Sequence, residues 1–397
     1  MEIDRKNMYR FPWSKTDNPG GWVEITDKCN MTCLGCYRSK LEGHRELGDI
    51  QQDILDTLRL TNCDSMTISG GEPLIYPRLT EVIRYMADLK IKPSLTTNGE
   101  NLTPDFLHEL KKAGLVSVRF HIDRFQKRTG WEGKSEEELN RLRQYYADML
   151  YREGGIQCGF HVTVYRSNLD EIPVIAGWAM KNIHKVSHIS FIAYRALPSD
   201  ERLLFFADGR QIKAPLLFSE TDNNNISITS EEMFGKISSK FPELRPCAYL
   251  NGSTKYETNK YLVAVNVGSK NMHYGIMGAK MIELTQVFFH LFKRKYYSFL
   301  RSSNAGKKLF LFSIIDKEIR RSFSNFLLGS LKNPMRLFQK IYIQNIHFQQ
   351  PNEIIDGQAN LCDDCCNMMT YKGKLINHCR LDEYRLYGCA LQVVRMN

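Results

Sequence analysis

The chain has 397 residues, of which 43% are hydrophobic and 25% charged. That composition excludes a disordered or collagen-like polymer and provides for one large α/β domain with a smaller appendage. No stretch reaches the ~18 uninterrupted apolar residues of a membrane span. The start, Met1-Glu2-Ile3-Asp4-Arg5-Lys6, lacks the apolar run of a secretory signal, so a cytoplasmic location is expected.

From Gly21 to about Arg195 short β-like runs alternate with helical stretches. The runs are Trp22–Thr26, Met66–Ser69, Pro93–Thr97, Val116–Ile122, Phe160–Tyr165 and Ile189–Ala193, rich in Val, Ile, Phe and Thr and bounded by Gly, Asn or Asp. Asp49–Leu60 has apolar residues at helical spacing. Thr103 reads as an N-cap, Pro104 as a first helical residue and Gly114 as a stop. Ser135 opens a longer helix whose first turn is acidic, as the helix dipole favours. Six β/α units in a row predict a parallel sheet with outer helices. A complete eight-unit barrel needs ~250 residues. Six units here predict an α/β fold: a partial (β/α)6 TIM-like barrel with an α+β Cys-rich C-terminal extension.

The pattern decays after Ala196. Residues 197–290 mix strand-like pieces, such as Tyr261–Val267, with turn signals such as Asp222-Asn-Asn-Asn; residues 291–345 read as helical, basic and aromatic. The expected organisation is an N-terminal segment (1–20), a core barrel (21–200), a connecting or substrate region (201–290), a basic amphipathic helical segment (291–349) and a Cys-rich module (350–397).

Eleven cysteines in a cytosolic chain point to metal or redox chemistry when they cluster. Eight do: three at 29, 33 and 36, and five at 362, 365, 366, 379 and 389. Cys63, Cys158 and Cys247 stand alone and read as small buried hydrophobes. Cys29, Cys33 and Cys36 lie in the loop after the first strand. Zinc wants four ligands, and the fourth is missing locally. A cubane cluster has four irons, so three cysteines would leave one iron open to a small molecule.

This Cys-x3-Cys-x2-Cys loop resembles the signature of the radical S-adenosylmethionine (SAM) superfamily. Later strand ends carry similar motifs: Gly70-Gly71-Glu72-Pro73 resembles the family's GGEP, and Thr96-Thr97-Asn98-Gly99 its TNG. The resemblance covers roughly residues 20–195. It implies a catalytic [4Fe–4S] cluster on Cys29, Cys33 and Cys36, whose open iron chelates SAM. One electron then cleaves the sulfonium, and a 5′-deoxyadenosyl radical abstracts hydrogen from a substrate. Gly70, Gly71, Glu72 and Pro73 would hold the methionine part of SAM. Asn98, His121, Asp123 and Asn168 would contact the remainder. An electron donor such as flavodoxin or ferredoxin is implied as a partner. The chain departs from the family at Gly35, where many relatives have an aromatic residue near adenine.

The spacing Cys362-x2-Cys365-Cys366-x12-Cys379-x9-Cys389 suits tetrahedral zinc or a second cubane. By resemblance it is similar to an auxiliary [4Fe–4S] cluster, with Cys362, Cys365 and Cys379 as first ligands and Cys366, Cys389 or Cys247 as the fourth. Zinc, or no metal, are the alternatives.

The net charge of +10 is carried by residues 291–340, which hold twelve Lys/Arg and two Asp/Glu. Phe312, Ile315, Ile319, Phe323, Phe326 and Leu331 recur at helical spacing, with Lys317, Arg320 and Arg321 off that stripe. The stripe suits packing on the barrel, with a solvated basic face. It also suits peripheral contact with the inner face of an anionic membrane; nucleic acid is the least favoured partner. Two substrate classes follow, a lipid from this segment and a ribosomal peptide from the second cysteine cluster. The competing class is a non-catalytic metal-binding or electron-transfer protein.

Overall fold

A computed structural model describes residues 3–36, 38, 43–194, 203–213, 228–298, 304–351, 353–355, 358–362, 365 and 367–396. Tyr37, the boundary at 195–200, the Asn-rich turn at 222–225 and Cys366 lie outside them.

Six parallel strands form the centre: β1 (Gly20–Thr26), β2 (Ser65–Gly70), β3 (Lys92–Thr97), β4 (Ser117–His121), β5 (Gln157–Val164) and β6 (Val186–Ala193), paired in chain order. Between them run α1 (Leu47–Leu60), α2 (Leu79–Asp88), α3 (Pro104–Ala113), α4 (Glu136–Glu153) and α5 (Ile172–Lys181). The helix ends follow local chemistry. The Thr103 hydroxyl accepts from the Phe106 N–H, Pro104 begins α3, and Gly114 ends it at φ 113°. Ser135 and Glu138 form a reciprocal capping box at the start of α4; such a cap contributes about 1 kcal/mol.

Alternation along the strands gives the sheet two unlike faces. Met66, Ile68, Leu95, Val118, Phe120, Phe160, Val162, Ile189 and Phe191 point outward and are fully buried against the helices. Thr67, Ser69, Thr96, Arg119, His121, His161, His188 and Ser190 point inward and line one cavity of about 340 Å³. A complete TIM barrel fills its interior with branched apolar side chains; this one keeps a lumen whose lining includes Thr, Ser, Arg and His side chains. Every parallel strand contributes to that lumen, while the terminal strands of the sheet do not pair with each other among the described residues. The sheet is an open, partial barrel.

It extends beyond six strands. Past the core come α6 (Ser230–Ser238), β7 (Ala248–Asn251), β8 (Asn259–Ser269), β9 (Met272–Ile276) and β10 (Tyr342–Gln349). β10 pairs parallel to β6 and antiparallel to β8. Residues 342–345 are therefore not helical as expected. Inward Asn345 and His347 alternate with outward Ile346 and Phe348, a period-two pattern that a strand buries and a helix cannot.

The basic segment contains the end of α7 (Ala279–Lys293), 3-10 turns at Lys307–Ile314 and α8 (Lys317–Lys332). Asp316 caps α8 by accepting from the Glu318 and Ile319 N–H groups. That cap starts a new helix, so Phe312 and Ile315 do not share a face with the rest of the stripe. Ile319, Phe323 and Phe326 pack inward, in a second core with Phe11, Trp13, Val263 and Val265. Leu331 is 81% exposed. The Cys-rich end adds β11 (Met368–Tyr371), β12 (Lys374–Asn377) and α9 (Leu381–Tyr387), and β11 joins the free edge of β1.

Candidate active site

The cysteine loop leaves β1 at Thr26. Its backbone is pinned from three sides: the Gly71 N–H donates to Thr26 O (2.8 Å), the Glu72 N–H to Lys28 O (2.8 Å) and the Leu34 N–H to Phe125 O (3.1 Å). Asn98 Nδ2 adds a bond to Asn30 Oδ1 at 2.7 Å. Cys29, Cys33 and Cys36 all line the cavity. Cys29 and Cys36 are exposed as whole residues and Cys33 is half-buried. Burial pushes all three up from the ordinary thiol range, Cys33 to about 12, and the nearby Asp123 adds to that of Cys33.

Gly70 and Gly71 sit at the C-terminal end of β2. Their backbone packs closely on the cysteine loop itself. A Cβ on Gly71 would lie 2.0 Å from Lys28 O, and one on Gly70 2.3 Å from Thr26 O. Gly70 also has φ 133°, which side chains disfavour. The Glu72 carboxylate accepts from Thr97 Oγ1 (2.5 Å), Asn98 N (2.7 Å) and Leu74 N (2.9 Å). Most of its acceptor capacity is thus spent fixing the end of β3. Burial still holds its pKa above the usual carboxylate value. Pro73 starts a buried 3-10 turn and does not line the cavity.

Asn98, His121 and Asp123 do line it. His121 Nε2 lies 2.8 Å from Thr163 Oγ1 and 3.3 Å from Asp123 Oδ2, and the other Asp123 oxygen accepts from the Phe125 N–H at 2.9 Å. Asn168 is placed differently from the expectation. It is fully buried away from the cavity, donating to Glu136 Oε1 (3.0 Å) and Thr163 O (3.1 Å) and accepting from Tyr165 N (2.7 Å). Its amide is consumed in holding the turn after β5. That turn delivers Tyr165, a cavity residue absent from the expected set. A Cβ on Gly35 would lie 2.2 Å from the Tyr165 hydroxyl. The space that an aromatic side chain at Gly35 would claim is filled by Tyr165, flanked by Phe125 and Tyr194 at 4.3 and 4.7 Å.

Cys362, Cys365 and Cys379 line the same cavity. The Cys362 thiol donates toward Cys365 and is pushed up by that bond and by burial; the Cys365 thiol is lowered to about 7 by accepting it. The Asn367 N–H donates to Cys365 Sγ at 3.4 Å. Cys389 packs instead with Ala207, Leu391 and Tyr387. Cys247 is buried in the second core and its thiol donates to Val263 O. Neither lines the cavity, which leaves both outside a ligand set with the other three. Cys63 and Cys158 are buried in the main core, as expected of lone cysteines.

The two cysteine modules meet at Arg38. Its guanidinium donates to Asp27 (2.9 Å) and to Asp382 of α9 (2.7 Å), and lies 2.8 Å from the fully buried Glu24. The Glu24 contact is off the N–H direction, so that pairing is ionic rather than hydrogen-bonded. Burial raises the Glu24 pKa and Arg38 offsets part of the rise.

Among the described residues no three His, Cys, Asp or Glu gather tightly enough for a single metal ion. A cubane offers a separate iron to each thiolate, which suits thiols spread around a cavity wall better than one ion does. The donor set of Cys29, Cys33 and Cys36, facing the cavity beside the Gly70–Gly71 backbone, fits such a group.

Four further lumen residues escaped the sequence reading: Arg119, His161, His188 and His347. Burial first, and then the Arg119 charge among other cations, lowers the three imidazoles. His347 falls to about 3, and His161 and His188 lie well below the usual value.

Residues 23–178 match the sequence profile of the Radical SAM superfamily. The chain carries a radical SAM domain, the class whose cofactors are a [4Fe–4S] cluster and SAM. It is 28% identical over 158 residues to the AdoMet-dependent heme synthase of Methanosarcina barkeri, covering 38% of this chain and 43% of that one. It is 25% identical over 172 residues to the tungsten-containing aldehyde ferredoxin oxidoreductase cofactor-modifying protein of Pyrococcus furiosus, covering 40% and 47%. Among solved structures, Streptococcus suis SuiB bound to precursor peptide SuiA superposes at TM-score 0.40 and 15% identity, over 57% of this chain and 47% of that one. The chain thus spans less than half the length of the curated relatives it matches. No helix among the described residues is long and apolar enough to cross a membrane.

Proposed function

We propose that this chain is a radical SAM enzyme that cleaves SAM reductively and abstracts hydrogen from a substrate held in the barrel lumen. The observation that carries the reading is the gathering of Cys29, Cys33 and Cys36 with Gly70, Gly71 and Asn98 on one wall of a single cavity. When bound, the cluster supplies the electron that cleaves SAM to methionine and a 5′-deoxyadenosyl radical. The protein's part is positioning. Glu72 fixes the ends of β2 and β3 against each other, so that the backbone of Gly70–Gly71 and the Asn98 side chain keep their spacing to the cysteine loop. Tyr165 takes the place of the missing aromatic at Gly35 as the wall for the adenine. Asp123 and His121 present a carboxylate and an imidazole to the remaining polar atoms of SAM. Cys362, Cys365 and Cys379 would hold a second [4Fe–4S] cluster facing the same cavity. Anaerobic reconstitution with iron, sulfide, SAM and a strong reductant, followed by mass spectrometry of 5′-deoxyadenosine, tests the reading. A fully loaded protein that releases none speaks for the non-catalytic metal-binding alternative.

A peripheral membrane role has its own observation. Leu291, Phe292, Ile314, Leu328, Leu331 and Phe338 are each at least half exposed, within the segment that carries the excess positive charge. Exposed apolar side chains among cations suit an anionic bilayer surface. Sedimentation with phosphatidylserine vesicles tests this, and a protein that stays in the supernatant at low salt removes it. The substrate classes proposed are a lipid, on the strength of this segment, or a ribosomal peptide, on the strength of the second cysteine cluster.

A further inference from the structure

Below the cysteine end, the inward side chains fall in two cross-strand rows. The upper runs His121–His161–Ser190–His347 over β4, β5, β6 and β10. The lower runs Thr96–Arg119–Gly159–His188–Asn345 over β3, β4, β5, β6 and β10. Arg119 lies two residues before His121, about 7 Å deeper along the strand. Gly159 is the gap in the lower row. A Cβ there would lie 3.1 Å from the His188 Cβ and 3.3 Å from its ring. The His188 ring therefore leans over Gly159, toward Arg119. It lies 5.7 Å from His161 and 4.3 Å from His347, centroid to centroid. His188 Nε2 is 3.1 Å from Ser190 Oγ, and His347 Nδ1 is 2.5 Å from the Tyr261 hydroxyl.

We propose that Arg119, His161 and His188 form a subsite, one layer below SAM, for an anionic group of the substrate, a carboxylate or a phosphate. This deepens the enzyme reading above and rests on it. An arginine fork inside a lumen suits planar oxyanions. The imidazoles beside it are neutral, so each keeps one N–H to donate without a cost of charge repulsion against Arg119. No protein group bonds to the His161 ring among the described residues, although the ring faces the cavity. At the ends of the lower row, Thr96 Oγ1 and the buried Asn345 Oδ1 have no hydrogen-bond partner. A buried acceptor without a partner calls for a donor from a ligand, which fits a substrate carrying hydroxyl or amide groups beside its anion. The lower layer of the lumen then takes the polar end of a substrate.

The test is calorimetric titration of the full, cluster-loaded chain at saturating SAM, so that the SAM carboxylate site is filled, with inorganic phosphate in one arm and malonate in the other. Saturable binding of one anion per chain, weakened at least tenfold by Arg119→Gln and less by Arg119→Lys, is the expected result. Phosphate alone would mark a phosphate ester, malonate alone a carboxylate. Gly159→Ala, which displaces His188, gives a second handle if Arg119→Gln melts early. Absence of binding in both arms, or binding untouched by both variants at unchanged melting temperature, overturns the subsite. The readout needs no turnover, so its failure is distinct from a failure to make 5′-deoxyadenosine.

Discussion

The Arg38 guanidinium lies 2.7 Å from the Asp382 carboxylate, and this bond ties the loop of Cys29, Cys33 and Cys36 to the module of Cys362, Cys365 and Cys379. Asp27 is the second tie, bonded to both Arg38 and Arg385 of α9. Two cysteine clusters more than 300 residues apart thus share one wall because charged side chains of the first loop pair with a helix of the last module.

Removing that hub leaves the carboxylate of Glu24 buried and unpaired. Arg38→Ala is expected to lower stability by about 3–5 kcal/mol, the range for breaking a buried pair from one side. Urea unfolding of the apo chain measures it, and Arg38→Lys should recover part. A loss below about 1 kcal/mol would show that the three carboxylates relax without it.

Glu72→Gln keeps the shape of the side chain but replaces one acceptor oxygen with an N–H₂ that faces donors. One of the three bonds from Thr97, Asn98 and Leu74 must break. The cost should be about 1–3 kcal/mol, with SAM binding weakened because the end of β3 loosens. Equilibrium dialysis with labelled SAM checks the second effect.

Gly71→Ala puts a Cβ where Lys28 O now stands. The cysteine loop has to move, so iron retained after anaerobic reconstitution should fall well below the wild-type value. Gly48→Ala, in α1 with open space around it, should leave iron content unchanged and stabilise by up to about 1 kcal/mol. Equal iron in both variants would contradict the tight packing of the loop on β2.

His161, His188 and His347 shed protons more readily in the native state than in the unfolded chain. As pH falls below about 6.5, the unfolded chain binds protons that the native lumen refuses. Stability therefore falls with pH, at up to ~1.4 kcal/mol per pH unit for each histidine, and for His347 the loss continues to about pH 3. Denaturant unfolding between pH 7 and 5 measures the slope. His347→Gln should flatten it; an unchanged slope would place the titration elsewhere.

The β/α core was legible because its signals are local. Pro104 and Gly114 bound a helix by backbone chemistry alone, as does the Ser135 box, and the strand-end motifs carry their own turn residues. The lumen was less legible. Its clue was the polar alternation in Ser117–His121, Gln157–Val164 and Val186–Ala193, which reads equally as a solvent-facing side until the sheet curls. β10 was missed because its partners β6 and β8 are distant in sequence and it follows a helical segment. The split of the amphipathic stripe turns on Asp316, a cap that periodicity alone does not reveal.

The central claim is that Cys29, Cys33 and Cys36 hold the cluster that cleaves SAM. The most direct measurement compares the anaerobically reconstituted wild type with the Cys29→Ala/Cys33→Ala/Cys36→Ala variant, counting iron and 5′-deoxyadenosine in both. The account predicts 5′-deoxyadenosine from the wild type and none from the variant, which should keep iron only if Cys362, Cys365 and Cys379 bind a cluster of their own. A fully iron-loaded wild type that makes none while binding SAM, or a variant that makes as much as the wild type, would contradict it.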